Sequence, residues 1–278
     1  RKVSEGLARR DLTPDQTVAI MLPTCPEFFA VFFGILMAGG IPVPIYPPAR
    51  LSQVEEHLRR QAEILRNAQV QVLITIEEAK HAAHFLRLQV KELRHVVTPE
   101  DISVPPQNSL RIVVQEEDIA FLQYTSGSTG DPKGVALSHA NLLANIRAMG
   151  TALKVESTDV FVSWLPLYRD MGLIGAWLGS MYHAVKFVVM SPLTFLVRPE
   201  RWLWAMQRHG GTLSAAPNFA YDLCVKRIDK QDIEGLDLHS WRIAANGAEP
   251  VMAATIEAFC DRFKQYGFKP EALKPVYG

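Results

Sequence analysis

The residues best suited to chemistry concentrate in Tyr124-Thr125-Ser126-Gly127-Ser128-Thr129-Gly130-Asp131-Pro132-Lys133-Gly134. Four serine and threonine hydroxyls, three glycines and one lysine fall within these eleven residues. Glycines let a backbone bend tightly and turn several N–H groups towards one point. The hydroxyls add donors, and Lys133 adds a mobile positive charge. Such a set cradles a polyphosphate. The bland alternative is a flexible Gly/Ser turn. The ordered hydroxyls, the Pro132-Lys133-Gly134 ending and the apolar runs at 119–122 and 135–137 argue against it. A Walker A loop also fails, because that motif runs G-x-x-x-x-G-K-[ST] straight into a helix. Here Pro132 precedes the lysine, Gly134 follows it, and a strand comes next, with the helix delayed until after Ser138.

The elements that must position this loop alternate along the chain. Residues 18–22 read as a buried strand, and Pro26 opens an apolar helix that stops at Gly39-Gly40. Residues 41–45 carry prolines at 42 and 44, which suits an edge strand. Ser52-Gln53-Val54-Glu55 is a capping box, and the helix after it places Val54, Leu58, Ala62 and Leu65 on one face. A strand at 70–76 follows, then a helix over 80–93, whose His81 and His84 read as a solvated face rather than a metal pair. After the loop come a helix from His139, a strand at 159–165 and a helix with glycines at 172, 175 and 179. Strands at 185–190, 213–216 and 241–245 then alternate with helices at 200–208, 219–227 and 253–265. Strand, helix, strand at this spacing predicts a parallel α/β sheet, in one domain with two similar halves.

Composition excludes several classes. The 278 residues are 48% hydrophobic and 21% charged, enough for a sizeable core. Lysine plus arginine equals aspartate plus glutamate, 29 each, so nothing global points to nucleic acid. Three scattered cysteines give neither a disulfide framework nor a zinc site, and a reducing, cytoplasmic setting is expected. The charge-free stretch 28–49 is broken by glycines and prolines, so no transmembrane segment is expected. The chain opens on Arg1-Lys2 and stops at Val276-Tyr277-Gly278, so it reads as a piece of a longer protein.

Four further segments carry a resemblance: "WLPLYRDMGLIG" at 164–175, "SPLTFLVRPERWLWAM" at 191–206, "PNFAYDLCVKRI" at 217–228 and "NGAEP" at 246–250. With the loop at 124–134, and with Pro47-Pro48-Ala49-Arg50, they resemble the adenylate-forming superfamily over nearly the whole chain. They look most like the N-terminal part of a fatty acyl-AMP ligase or long-chain acyl-CoA synthetase. The resemblance implies a layered α/β/α large domain of two similar sheet-helix subdomains, incomplete here, with 1–278 as the N-terminal portion of the AMP-binding domain. It implies ATP and Mg²⁺ as cofactors, a fatty acid as substrate, and an acyl carrier protein or CoA as acceptor.

On that resemblance Thr125, Ser126, Gly127, Ser128, Thr129, Gly130 and Lys133 hold the ATP phosphates, with Thr129 nearest Mg²⁺. Asn246, Gly247, Ala248 and Glu249 line the adenine, and Tyr277-Gly278 begins the motif whose tyrosine stacks on it. Met171, Gly172, Ile174 and Phe219 wall an acyl tunnel, with Asn218 near its mouth. Arg169 stands where relatives usually carry a histidine near the carboxylate and α-phosphate. The expected catalytic residues are therefore Arg169, Thr129 and Lys133. The ribose-binding aspartate and late catalytic lysine would fall beyond Gly278, so the chain alone is expected to bind nucleotide weakly and not turn over. A protein of another class, a non-catalytic one that binds nucleotide or acyl groups on the same fold, fits the same residues. Because the loop joins two strands, it lacks a helix dipole and is expected to order only when ATP binds.

Overall fold

In the computed structural model the described residues are 1–47, 54–105, 112–125 and 132–277. They form two units, Arg1–Ala144 and Asn145–Gly278, each built on its own parallel sheet. In the first unit α1 (Lys2–Ala8) precedes β1 (Thr17–Met21), α2 (Pro26–Met37), β2 (Ile41–Pro44), α3 (Val54–Asn67), β3 (Val72–Thr75), α4 (Glu77–His84) and β4 (His95–Val97). The strands pair in parallel in the order β2-β1-β3-β4. β1 and β3 are near-continuous apolar runs and are buried along nearly all of their length, as central strands of a parallel sheet are. β2 lies at the sheet's edge, as its two prolines require. In α3, Leu58, Ala62 and Leu65 are buried on one face, while Ser52 of the expected capping box lies outside the described residues.

The helix expected over 80–93 is shorter. α4 gives way to a 3₁₀ turn at Phe85–Leu88. The tighter winding keeps Leu86 and Val90 in the core and leaves Leu88 85% exposed, which an amphipathic α-helix would not. The unit continues with β5 (Ile119–Thr125) and β6 (Lys133–Ser138), an antiparallel pair with Thr125 opposite Lys133. The phosphate-loop candidate thus joins two strands and no helix. Its residues 126–131, including the expectation that they order with ATP, lie outside the described residues. Its base is held by Tyr124, whose hydroxyl donates to Asn67 Oδ1 at 2.5 Å, at the end of α3.

α5 (His139–Ala152) leads into β7 (Val160–Ser163). A π-helical segment, Met171–Leu178, then runs into α6 (Gly179–Tyr182), β8 (Lys186–Val189), α7 (Pro192–Val197), α8 (Glu200–His209), β9 (Leu213–Ala216), α9 (Asn218–Arg227), β10 (Ile243–Asn246), α10 (Ala253–Phe263) and β11 (Leu273–Pro275). These five strands are all parallel, ordered β11-β10-β9-β7-β8. The core of the second unit is aromatic, with Trp202, Trp241, Tyr221, Phe259 and Phe263 fully buried. Each polar ring atom is satisfied, as burial of such rings demands. Trp202 Nε1 donates to Ser214 Oγ at 2.9 Å, Tyr221 Oη to the Ala245 carbonyl at 2.9 Å and Trp241 Nε1 to the Ile243 carbonyl at 2.8 Å. Residue type predicts Trp241 inside a strand. It instead closes a turn onto the Leu238 carbonyl, and β10 begins two residues later. No helix among the described residues is long and apolar enough to cross a membrane.

The amino ends of three strands in this sheet are pinned by one ion pair. Asp159, just before β7, accepts from Thr212 Oγ1 at 2.7 Å and from Arg242 Nε at 2.8 Å, and these two donors precede β9 and β10. The same guanidinium reaches the Leu153 and Lys154 carbonyls at 3.1 and 2.9 Å. Burial pushes the Asp159 carboxyl up, but the hydrogen bonds from Arg242, the Glu156 amide and Thr212 outweigh it and hold the group down at about 2, from its ordinary 3.8. A depressed carboxyl stabilises the fold above the unfolded value and loses that stabilisation as pH falls through the folded one. Asp159→Asn is therefore expected to cost about 2 kcal/mol in urea unfolding at neutral pH. The gap between variant and wild type should close as pH drops from about 4 to about 2.

Candidate active site

In the second unit, β7 connects to β8 on one side, and the chain then crosses to β9, β10 and β11 on the other. The winding direction reverses between β7 and β9. In open α/β sheets ligands bind outside the carboxyl ends of the strands at this point. The described candidate residues of this unit follow the strands at that edge. Trp164 to Gly172 follow β7, Asn218 and Phe219 follow β9, Asn246 to Glu249 end and follow β10, and Tyr277 follows β11.

The strap after β10 is built closely against its neighbours. Gly247 N donates to the Ala216 carbonyl at 3.2 Å, and the Asn246 carbonyl accepts from Val276 N at 2.8 Å. A Cβ on Gly247 would stand 2.6 Å from the Val276 carbonyl oxygen, so only glycine permits this approach. Ala248 takes a left-handed φ of 68°, a costly conformation for a residue with a side chain. Asn246 is fully buried, and no protein donor reaches its Oδ1 among the described residues. This buried acceptor is enclosed by protein and sits at the start of the strap.

Asn218, expected near the mouth of an acyl tunnel, is 7% exposed and its amide is engaged at both ends. Its Nδ2 donates to Thr255 Oγ1 at 3.2 Å, and its Oδ1 accepts from Asn246 Nδ2 at 3.3 Å and from Met252 N at 3.1 Å. Phe219 is 42% exposed, and its backbone N–H donates to Glu249 Oε1 at 2.6 Å. The Phe219 ring meets Trp164 edge-on at 6.1 Å, and Trp164 stacks on Phe195 at 4.0 Å. Sequence reasoning does not single out Trp164, Phe195 or Thr255. The first two come from the segments after β7 and β8, and only strand order brings them together.

The segment after β7 departs from the expected α-helix. Met171–Leu178 is π-helical, with Gly179 N–H donating to Ile174 O, five residues back. Asp170 Oδ1 caps it by accepting from Met171 N at 2.7 Å. A Cβ on Gly172 would stand 2.3 Å from the Pro166 carbonyl oxygen, so the segment packs its backbone directly onto the preceding turn. The wider winding accommodates that contact, and such bulges recur at functional sites. Met171 and Ile174 are half-buried. Arg169 is exposed and pairs with no carboxylate among the described residues, Asp170 being used as the cap.

Thr125 and Lys133 face each other, exposed, at the end of the hairpin in the first unit. Ser126, Gly127, Ser128, Thr129 and Gly130 lie outside the described residues, as does Gly278. Tyr277 is fully exposed. No group of three metal-binding side chains occurs among the described residues. Cys224 is fully buried, and burial pushes its thiol up, which makes it inert rather than nucleophilic.

The second unit is thus an open parallel α/β sheet with a glycine strap and an aromatic wall at its switch point. The chain belongs to the AMP-binding enzyme family, whose model matches residues 1–278. It is 34% identical over 274 residues to the medium-chain-fatty-acid–[acyl-carrier-protein] ligase JamA of Moorena producens (strain JHB), covering 97% of this chain and 46% of that protein. It is 38% identical to the long-chain-fatty-acid–AMP ligase FadD32 of Mycolicibacterium smegmatis, covering 95% of this chain and 43% of the relative. The crystal structure of a fatty acyl-adenylate ligase from L. pneumophila, in complex with acyl adenylate and pyrophosphate, superposes with a TM-score of 0.86 at 38% identity, covering 100% of this chain and 48% of that one. The chain spans about half the length of these relatives.

Two glycines of the π-helical segment give a direct test of its packing. Gly172→Ala must push a methyl group against the Pro166 carbonyl and is expected to cost roughly 1–3 kcal/mol. A Cβ added at Gly175 would meet nothing within 4 Å, so Gly175→Ala should be neutral or stabilising by up to about 1 kcal/mol. Equal thermal midpoints for the two variants would contradict the packing described.

Proposed function

We propose that this chain forms the nucleotide- and acyl-binding part of an ATP-dependent ligase that activates a fatty acid as its acyl-adenylate and passes the acyl group to an acyl carrier protein. The observation that carries the reading is the convergence of Arg169, Asn218, Phe219, Asn246 to Glu249 and Tyr277 on the carboxyl edge of one parallel sheet. The similarity to JamA, to FadD32 and to the L. pneumophila ligase supports the choice of a fatty acid among carboxylates.

In this reading a fatty carboxylate oxygen attacks the α-phosphorus of ATP, the bond to the bridging oxygen breaks, and pyrophosphate leaves. The protein's task is positioning and charge stabilisation. Asn246 to Glu249 and Tyr277 hold the adenine. The Thr125–Lys133 loop, with its lysine and hydroxyls, grips the departing pyrophosphate. Mg²⁺, held through Thr129, would neutralise phosphate charge. Arg169, exposed and paired with no carboxylate among the described residues, steadies the acyl carboxylate or the α-phosphate through its planar donors. Met171, Gly172, Ile174 and Phe219 wall the acyl chain. The three cysteines are unpaired, which suits a reducing cytoplasm.

The test uses the intact gene product with ATP, Mg²⁺ and fatty acids of graded length. Acyl-adenylate and pyrophosphate should form, and the acyl group should move to a holo carrier protein in preference to CoA. Arg169→Ala is expected to lower kcat by about 10²-fold. Lys133→Ala should raise the KM for ATP. Transfer to CoA at equal or greater rate would place the protein among acyl-CoA synthetases. Binding of an acyl-adenylate mimic without turnover would make it a non-catalytic binding protein. Pyrophosphate exchange by residues 1–278 alone would contradict the expectation that this stretch, about half the length of its relatives, does not turn over by itself.

A further inference from the structure

Helix α9 begins without a cap of its own. Pro217 occupies the N-cap position and offers no side-chain acceptor to the first turn. The missing acceptor comes from 30 residues further along the chain, where Glu249 takes the Phe219 N–H at 2.6 Å. A carboxylate at a helix N-terminus is favoured both by the charge-assisted hydrogen bond and by the helix dipole. The residue before Phe219 makes the complementary tie. Asn218 Oδ1 accepts from Met252 N and from Asn246 Nδ2, while its Nδ2 donates to Thr255 Oγ1 on α10. The strap 246–252 is therefore fastened to the first two residues of α9 at its start, middle and end. Phe219 belongs to both sides. Its N–H is held by the strap, and its half-exposed ring meets Trp164 edge-on, over the stack with Phe195. A shift of the strap is transmitted to Phe219 through its own N–H, held by Glu249, and through the side-chain amide of its neighbour Asn218.

We propose that Glu249 and Asn218 are positioning residues that couple the nucleotide strap to the acyl-facing start of α9, so that occupancy of one side tightens the other. This rests on the nucleotide and acyl assignments proposed above. Neither side chain needs to touch a reacting atom. The selectivity it provides is for the pair of ligands together, a carboxylic acid chain and an adenine nucleotide, over either alone.

The coupling is measured by calorimetry on the intact gene product, using α,β-methylene-ATP with Mg²⁺ and dodecanoate, which cannot react together. Each affinity is taken with and without the other ligand. In the wild type each ligand should raise the affinity for the other by roughly tenfold, and by the same factor in both directions. In Glu249→Ala this ratio should fall to about 1–2, whatever happens to either affinity alone, and Glu249→Gln, which keeps a neutral acceptor, should restore part of it. Asn218→Ala should lower the ratio likewise, and the double variant should lose less than the sum of the singles. A thermal midpoint for each variant shows that it is folded. An unchanged ratio in folded Glu249→Ala would overturn the inference, as would a wild type that binds both ligands independently, and in both cases the functional reading stands. A wild type that binds neither ligand overturns the functional reading and the inference with it.

Discussion

A parallel strand leaves its sheet by the same edge as its neighbours, and every return must cross over through a helix. That constraint organises the second unit. Asp159, Thr212 and Arg242 pin the amino ends of β7, β9 and β10 in one ion-paired cluster. The carboxyl ends of β9 and β10 then lie level, because the register Ile243 to Leu213 through Asn246 to Ala216 is continuous, while β7 meets β9 at Phe161 opposite Leu213. The amino edge uses paired charge to hold the sheet together. The carboxyl edge carries the left-handed Ala248, the orphaned Asn246 Oδ1 and the π-helical Met171–Leu178. Left-handed backbone alone does not separate the two edges, because Lys154 before β7 and Ala184 before β8 take it on the amino side. The orphaned acceptor and the wide winding are what mark the carboxyl edge.

The aromatic core supports that edge. Trp202, Trp241, Tyr221 and Phe259 interlock edge to face beneath the sheet, with their polar atoms returned to strand carbonyls or Ser214. Rings of this size bury roughly 150–250 Å² each. Ties from Trp241 Nε1 to β10 and from Tyr221 Oη to Ala245 orient the strand that ends in the strap. The same wall continues outward through Phe195 and Trp164 to the half-exposed Phe219, so the core grades into an aromatic surface.

Much of the fold is legible in the chain itself. The alternation of short apolar runs with amphipathic helices, the prolines of β2 and the glycines beyond helix ends predict parallel sheets with covering helices, and these are observed. The misses have local causes. α1 and β4 are only seven and three residues long and carry too little periodicity to stand out. The helix expected over 80–93 tightens into a 3₁₀ turn because core contacts at Leu86 and Val90 override helical spacing. Trp241 has the residue type of a strand, yet the core claims its ring and the strand starts after it.

For the site, the sequence by itself determined the chemical vocabulary. Hydroxyls, glycines and Lys133 in one run, and Asn246-Gly247-Ala248-Glu249 after a strand, are properties of neighbours in the chain, and spacing expresses them directly. The tertiary structure alone decided the partners. Glu249 and Phe219 are 30 residues apart, and Asn218 and Thr255 are 37 apart. No periodicity can pair such residues, because their meeting depends on which strands lie side by side. Strand order also placed Trp164 on Phe195 and tied the Asn218 amide to the strap.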